Sequence, residues 1–150
     1  MIIERSGPGN EQEDVLFLCT GNSARSQMAE GMLGHYAGGC YEVFSAGLEP
    51  RSVKPLAVKA MDEIGIDISN QTSKGIDRFL GKETIHYAVF VCEKAEENCP
   101  SIYTLALNKL SWHMEDPAAF EGREDKKIEK FRETRGELDS RIKRWLAEQD

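Results

Sequence analysis

The sequence lacks any apolar run long enough to cross a bilayer; Val15-Leu16-Phe17-Leu18 is typical of its longest stretches, far short of the roughly 20 residues a spanning helix needs. Its first fourteen residues, MIIERSGPGNEQED, lack the apolar core of a secretory leader and read as a short polar extension, residues 1–13, before a domain at 14–150. The expected location is therefore the cytoplasm, with no membrane partner. Positive charge is also scarce: 19 basic against 26 acidic residues leave a formal net charge of −7, the wrong sign for a general nucleic-acid binder. An overall field of that sign does not attract anions, so any anion site must be built locally from backbone N–H groups and a few cationic side chains. Histidine is sparse, at His35, His86 and His113, and the chain has no pair of C-x-x-C knuckles. No metal site is expected from that pattern.

Four cysteines are present: Cys19, Cys40, Cys92 and Cys99. Without an export signal they are poor candidates for a structural disulfide framework, which leaves nucleophilic or redox chemistry. At 150 residues the chain suits one domain with one core.

Along the chain, apolar runs alternate with amphipathic segments. Asp14 to Thr20 reads as a buried strand, Ser26 to Tyr36 as a helix, and Tyr41 to Ala46 as a second strand. Pro55 opens a helix that Gly65 closes. Ser73 is placed to cap a short helix through Leu80. His86 to Val91 and Leu110 to Met114 are the third and fourth strands, and Glu124 to Gln149 a long helix weakened around Gly136. This alternation predicts a single α/β domain: a four-stranded parallel sheet with helices on both faces, its ligand at the carboxyl ends of the strands.

The loop after the first strand reads Cys19-Thr20-Gly21-Asn22-Ser23-Ala24-Arg25-Ser26, a C-x5-R-S pattern running into a helix. Five intervening residues can wrap the backbone so that successive N–H groups face one tetrahedral anion. Gly21 and Asn22 both tolerate positive φ, and the following helix adds its N-terminal dipole. Arg25 can fork onto two oxygens of the anion. Such surroundings favour the Cys19 thiolate, to which Ser26 can donate a hydrogen bond.

The stretch FLCTGNSARSQMAEG resembles the signature of the arsenate reductases that share the low-molecular-weight tyrosine phosphatase fold. Matching pieces recur at FSAG (Phe44 to Gly47), GIDISNQTSK (Gly65 to Lys74), Cys92 to Pro100, and Glu115-Asp116-Pro117-Ala118. By itself Asp116-Pro117 reads equally as a turn starter; the resemblance makes Asp116 the general acid for the leaving oxygen. Taken alone, Cys92 and Cys99 read as one cysteine ending a strand and one in a loop. The resemblance makes them a relay pair coupled to thioredoxin. It implies that Cys19 forms an adduct with arsenate, Cys92 attacks Cys19 as arsenite leaves, Cys99 attacks Cys92, and thioredoxin reduces the resulting disulfide. No tightly bound cofactor is implied, and a monomer is expected. Cys40 has no place in the scheme and is expected to be buried.

Two positions depart from the pattern. Ala24 stands where many relatives have a further cysteine. Some relatives hold potassium beside the loop through residues corresponding to Asn22, Glu30 and Ser45, and here Lys74 stands where an acidic ligand is expected; its ammonium is the candidate substitute for the cation. The alternative activity is that of a low-molecular-weight protein tyrosine phosphatase acting through a phosphocysteine at Cys19. That chemistry gives Cys92 and Cys99 no task, and the Ala-Ala-Phe after Pro117 lacks the tyrosines common in those phosphatases. A non-catalytic anion-binding module would need neither Asp116 nor the cysteine pair. Glutaredoxin in place of thioredoxin is the alternative reductant.

Overall fold

The computed structural model describes residues 12–79, 85–98 and 106–149. Four parallel strands form one sheet in the order β2-β1-β3-β4, with β1 at Glu13–Cys19, β2 at Tyr41–Gly47, β3 at Ile85–Phe90 and β4 at Ala106–Ser111. The helices are α1 (Arg25–Ala37), α2 (Pro55–Asp62), α3 (Glu93–Glu97) and α4 (Glu124–Glu148). Side chains alternate between the two faces of a strand, yet Val15 to Cys19 are all at most 2% exposed. Both faces of β1 are therefore covered, as helices on each side of a parallel sheet require.

The chain leaves β1 toward β2 on one side and later returns to place β3 on the other, so the order reverses between β1 and β3. A crevice opens outside the carboxyl ends of strands at such a point. The register carries Leu18 opposite Phe90, and Val91 N–H donates to the Leu18 carbonyl at 3.0 Å. Two residues further along each strand stand Thr20 and Cys92. Parallel pairing thus brings residue 92 beside the Cys19 loop although 72 positions separate Cys92 from Thr20.

Four local expectations need adjustment. The segment after Ser73 is not an α-helix: residues 74–75 run beside the end of β2, with Gly47 N–H bonded to the Lys74 carbonyl and a Gly47–Gly75 bridge, and only a 3-10 turn follows at Ile76–Phe79. Ser73 instead donates its hydroxyl to the Gly21 carbonyl at 3.2 Å. Leu80 lies outside the described residues. The fourth strand begins at Ala106 rather than Leu110, because an edge strand pairs on one side only and its exposed residues give little apolar signal. Trp112 and Met114, which suggested the later position, are buried beyond the strand while their N–H groups still bond to Phe90 and Val91.

Helix α4 runs unbroken through Gly136. A glycine in a helix costs about 1 kcal/mol, whereas Ile128, Phe131, Leu138, Ile142 and Trp145 are buried from this helix at roughly 1.5–3 kcal/mol each. Packing wins. Trp145 lies 5.2 Å from Tyr41 and 5.0 Å from Tyr87, ring centre to ring centre, which fastens α4 to β2 and β3. Finally, Cys40 is half-buried against the core rather than fully enclosed.

Candidate active site

The Cys19–Ser26 loop owes its shape to a strap formed by residues 48–54. Leu48 N–H donates to the Cys19 carbonyl, Glu49 to Thr20, Arg51 to Gly21 and Lys54 to Ser23, at 2.8–3.3 Å. The Asn22 carbonyl accepts from the Gln27 side chain at 3.0 Å and that of Ala24 from Met28 N–H at 2.8 Å. Every carbonyl from Cys19 to Ala24 is thereby engaged, most of them by the strap. With its carbonyls engaged in this way, the loop can offer its amides to its inside, where the Asn22 N–H already meets Cys19 Sγ; a tetrahedral anion needs such an arrangement. The loop's one left-handed residue is Asn22, at φ 48°; Gly21, which also suited that role, does not adopt it.

The loop itself lies so close to the end of β2 that Gly47 admits no side chain. A methyl group there would stand 2.7 Å from both the Asn22 nitrogen and the Thr20 oxygen.

Cys19 Sγ accepts from the Asn22 backbone N–H at 3.1 Å and lies 2.9 Å from Ser26 Oγ. The Asn22 amide donates to Ser26 Oγ at 2.8 Å and to Ser45 Oγ at 2.9 Å. Its oxygen accepts from Lys74 N–H at 2.7 Å and from Gln27 at 3.0 Å. Ser45 in turn donates to Glu30, whose carboxylate stands 3.6 Å from the Lys74 ammonium. The Lys74 ammonium also donates to the Thr72 carbonyl at 2.6 Å. Asn22, Glu30, Ser45 and Lys74, gathered from four separate stretches of sequence, thus form one network behind the loop. Gln27 belongs to it as well and was not singled out from the sequence, where a lone glutamine on a helix carries no signal.

A cavity of about 410 Å³ opens above Cys19, lined also by Thr20, Gly21, Ser23, Ala24, Arg25, Cys92 and Asp116. Arg25 donates from Nη1 to the Met114 carbonyl at 2.8 Å, and its Nη2 lies 3.9 Å from Asp116 Oδ2. Asp116 Oδ1 accepts from Ala118 N–H at 3.0 Å and so caps the 3-10 turn Pro117–Ala119. Turn starter and cavity-lining acid are the same residue.

Cys92 sits at the N-cap of α3, its sulfur 3.3 Å from Thr20 Oγ1. Burial pushes the Cys92 thiol up, but hydrogen bonds from Thr20 and the Ala95 backbone, together with the Arg25 charge, outweigh it, and the net direction is downward. Glu96 holds α3 against the β4 side of the sheet: its carboxylate accepts from Ser111 at 2.7 Å, pairs with His113 at 2.7 Å and with Lys109 at 3.0 Å. Cys99 lies outside the described residues. His86 accepts from Asp14 N–H at 2.9 Å and His35 packs edge-on against Tyr36. Among the described residues no cluster of His, Cys, Asp or Glu is arranged to hold a metal.

The model of low molecular weight phosphotyrosine protein phosphatases matches residues 14–150. The chain belongs to that family. Within it, the chain is 46% identical over 129 residues to the arsenate reductase of Halalkalibacterium halodurans, covering 86% of this chain and 91% of the relative. A solved arsenate reductase in its phosphate-binding state superposes with a TM-score of 0.77 at 34% identity, over 91% of this chain and 98% of that one. The thioredoxin-dependent arsenate reductase of Corynebacterium glutamicum gives a TM-score of 0.70 at 28% identity, over 93% of this chain and 63% of that one. The fold expected from strand and helix alternation is the fold of this family.

Proposed function

We propose that the protein reduces arsenate to arsenite, with Cys19 as nucleophile and thioredoxin as the external reductant. Loop amides and Arg25 hold the oxyanion, Ser26 and the Asn22 N–H orient Cys19 Sγ for attack, and Asp116 protonates the oxygen that leaves as the sulfur–arsenic bond forms. Cys92 then attacks Cys19 Sγ. The sulfur–arsenic bond breaks, its electron pair stays with arsenic, and arsenite departs as a Cys19–Cys92 disulfide forms. Attack by Cys99 on Cys92 frees Cys19 and leaves a Cys92–Cys99 disulfide for thioredoxin.

The observation that carries this reading is the position of Cys92: a second thiol, its ionisation favoured, on the wall of the cavity that holds Cys19. A phosphocysteine mechanism needs only water at that point. The cavity wall, moreover, carries no aromatic ring among the described residues to grip a phosphotyrosyl group. Phosphatase activity is expected only as a weak side reaction of the shared loop. The relatives named as arsenate reductases, one of them thioredoxin-dependent, support the same choice. No helix among the described residues is long and apolar enough to cross a membrane; the reading takes the protein as a cytoplasmic monomer, with residues 1–13 as an extension to the domain.

Coupled turnover tests the proposal. Arsenate added with thioredoxin, thioredoxin reductase and NADPH should give NADPH oxidation that Cys92→Ser abolishes. No turnover by the wild type, beside fast hydrolysis of an aryl phosphate, would transfer the assignment to phosphatase.

A further inference from the structure

Many cationic side chains of this acidic protein are already engaged: Lys74, Lys109, Arg132, Arg135 and Lys143, for example, each pair with a carboxylate. Arg51, Lys54 and Lys94 differ. All three are exposed, line the Cys19 cavity, and form no ion pair among the described residues. Arg51 and Lys54 are fixed there by the strap, through the backbone N–H bonds to Gly21 and Ser23, and the stem of Arg51 runs along Gly21. Lys94 comes to the cavity from α3, two residues beyond Cys92. Among the described residues, Asp116 is the one acidic side chain that lines the same cavity.

We propose that Arg51, Lys54 and Lys94 form a cationic collar that captures tetrahedral anions and lets an uncharged product leave. This inference rests on the arsenate reductase reading for its substrate. In a protein of net charge −7, capture of an anion requires a local reversal of the field, and three unpaired cations around a cleft provide it. Arsenate at neutral pH is an anion, the mono- and dianion in comparable amounts, whereas arsenite is protonated and neutral. The collar therefore attracts the substrate and has no hold on the product. Phosphate, with the charge and shape of arsenate, is held equally well, so it serves as a probe that needs no turnover.

The experiment measures inorganic phosphate binding by calorimetry and arsenate kinetics side by side, for wild type, Arg51→Gln/Lys54→Gln, Lys94→Gln, and Arg141→Gln/Arg144→Gln. The last removes two exposed charges of α4 that do not line the cavity. For the Arg51/Lys54 double variant, phosphate affinity and kcat/KM for arsenate should each fall about tenfold at low ionic strength, with the loss in KM rather than kcat. Lys94→Gln should give a smaller loss of the same kind. The differences should collapse in about 1 M salt, where screening acts within roughly 3 Å. Unchanged phosphate affinity in the double variant, an equal loss in the α4 control, or a loss confined to kcat would overturn the collar. Weakened phosphate binding in a protein that never turns over arsenate would support the collar while removing the arsenate reductase reading.

Discussion

Cys92 Sγ lies 3.3 Å from the hydroxyl of Thr20, the residue next to the candidate nucleophile. The contact follows from the parallel register of β1 and β3, which carries the two chains past their last paired residues, Leu18 and Phe90, in step. A second thiol is thus held at the loop before any substrate arrives, and its ionisation is tied to a loop residue.

Thr20→Val removes that hydroxyl and keeps the shape. Burial of the Cys92 thiol then meets less opposition, so its pKa should rise. The rate of Cys92 alkylation at neutral pH, followed by peptide mass mapping, should fall roughly fivefold, the equivalent of a hydrogen bond of about 1 kcal/mol. An unchanged rate would show that Thr20 does not govern this thiol.

Gly47→Ala places a methyl group 2.7 Å from the Asn22 nitrogen and the Thr20 oxygen, both backbone atoms that cannot swing aside. The expected cost is about 1–3 kcal/mol in urea unfolding, with a loss of oxyanion binding larger than stability alone would explain. Normal phosphate affinity in the folded variant would show that the loop tolerates displacement.

Lys74 provides a cation 3.6 Å from Glu30, at the far end of the Asn22–Ser45–Glu30 hydrogen-bond chain. Wild-type activity should be equal in potassium and sodium salts. Lys74→Met leaves the Glu30 carboxylate without its ammonium, and its activity should fall several-fold in sodium and recover in potassium. Strong potassium activation of the wild type would defeat the assignment.

Acid should loosen the contact between α2 and α4. Hydrogen bonds from Arg132, then Arg135, hold the Glu63 carboxyl down at about 2, from an ordinary value of 4.5. A depressed carboxyl pKa stabilises the fold above its unfolded value, and that stability drains away as pH falls toward the folded one. The gap in urea midpoint between wild type and Glu63→Gln should therefore be constant above about pH 4.5 and close as pH falls to about 2. A gap independent of pH would mean that Glu63 acts by packing alone.

Much of the fold and part of the site were legible in the residues. The apolar run Val15 to Cys19 of β1, the Pro55 and Gly65 boundaries of the α2 region and the C-x5-R-S loop are local patterns, each set by neighbours within a few positions. The sequence by itself therefore determined the alternating α/β plan and the position of the loop that carries Cys19 and Arg25, between β1 and α1. It misplaced β4 and read a helix after Ser73, because an edge strand and a strap segment are held by backbone hydrogen bonds to distant chain, which leave little trace in apolar periodicity. Only the tertiary structure decided that residues 48–54 engage the loop carbonyls, that Gln27 joins the network behind them, and that Arg51, Lys54 and Lys94 meet around one cavity. The physical reason is the same in each case: these contacts depend on strand register and on the crossing of the chain at the sheet's switch point, and neither is encoded within any short window of residues.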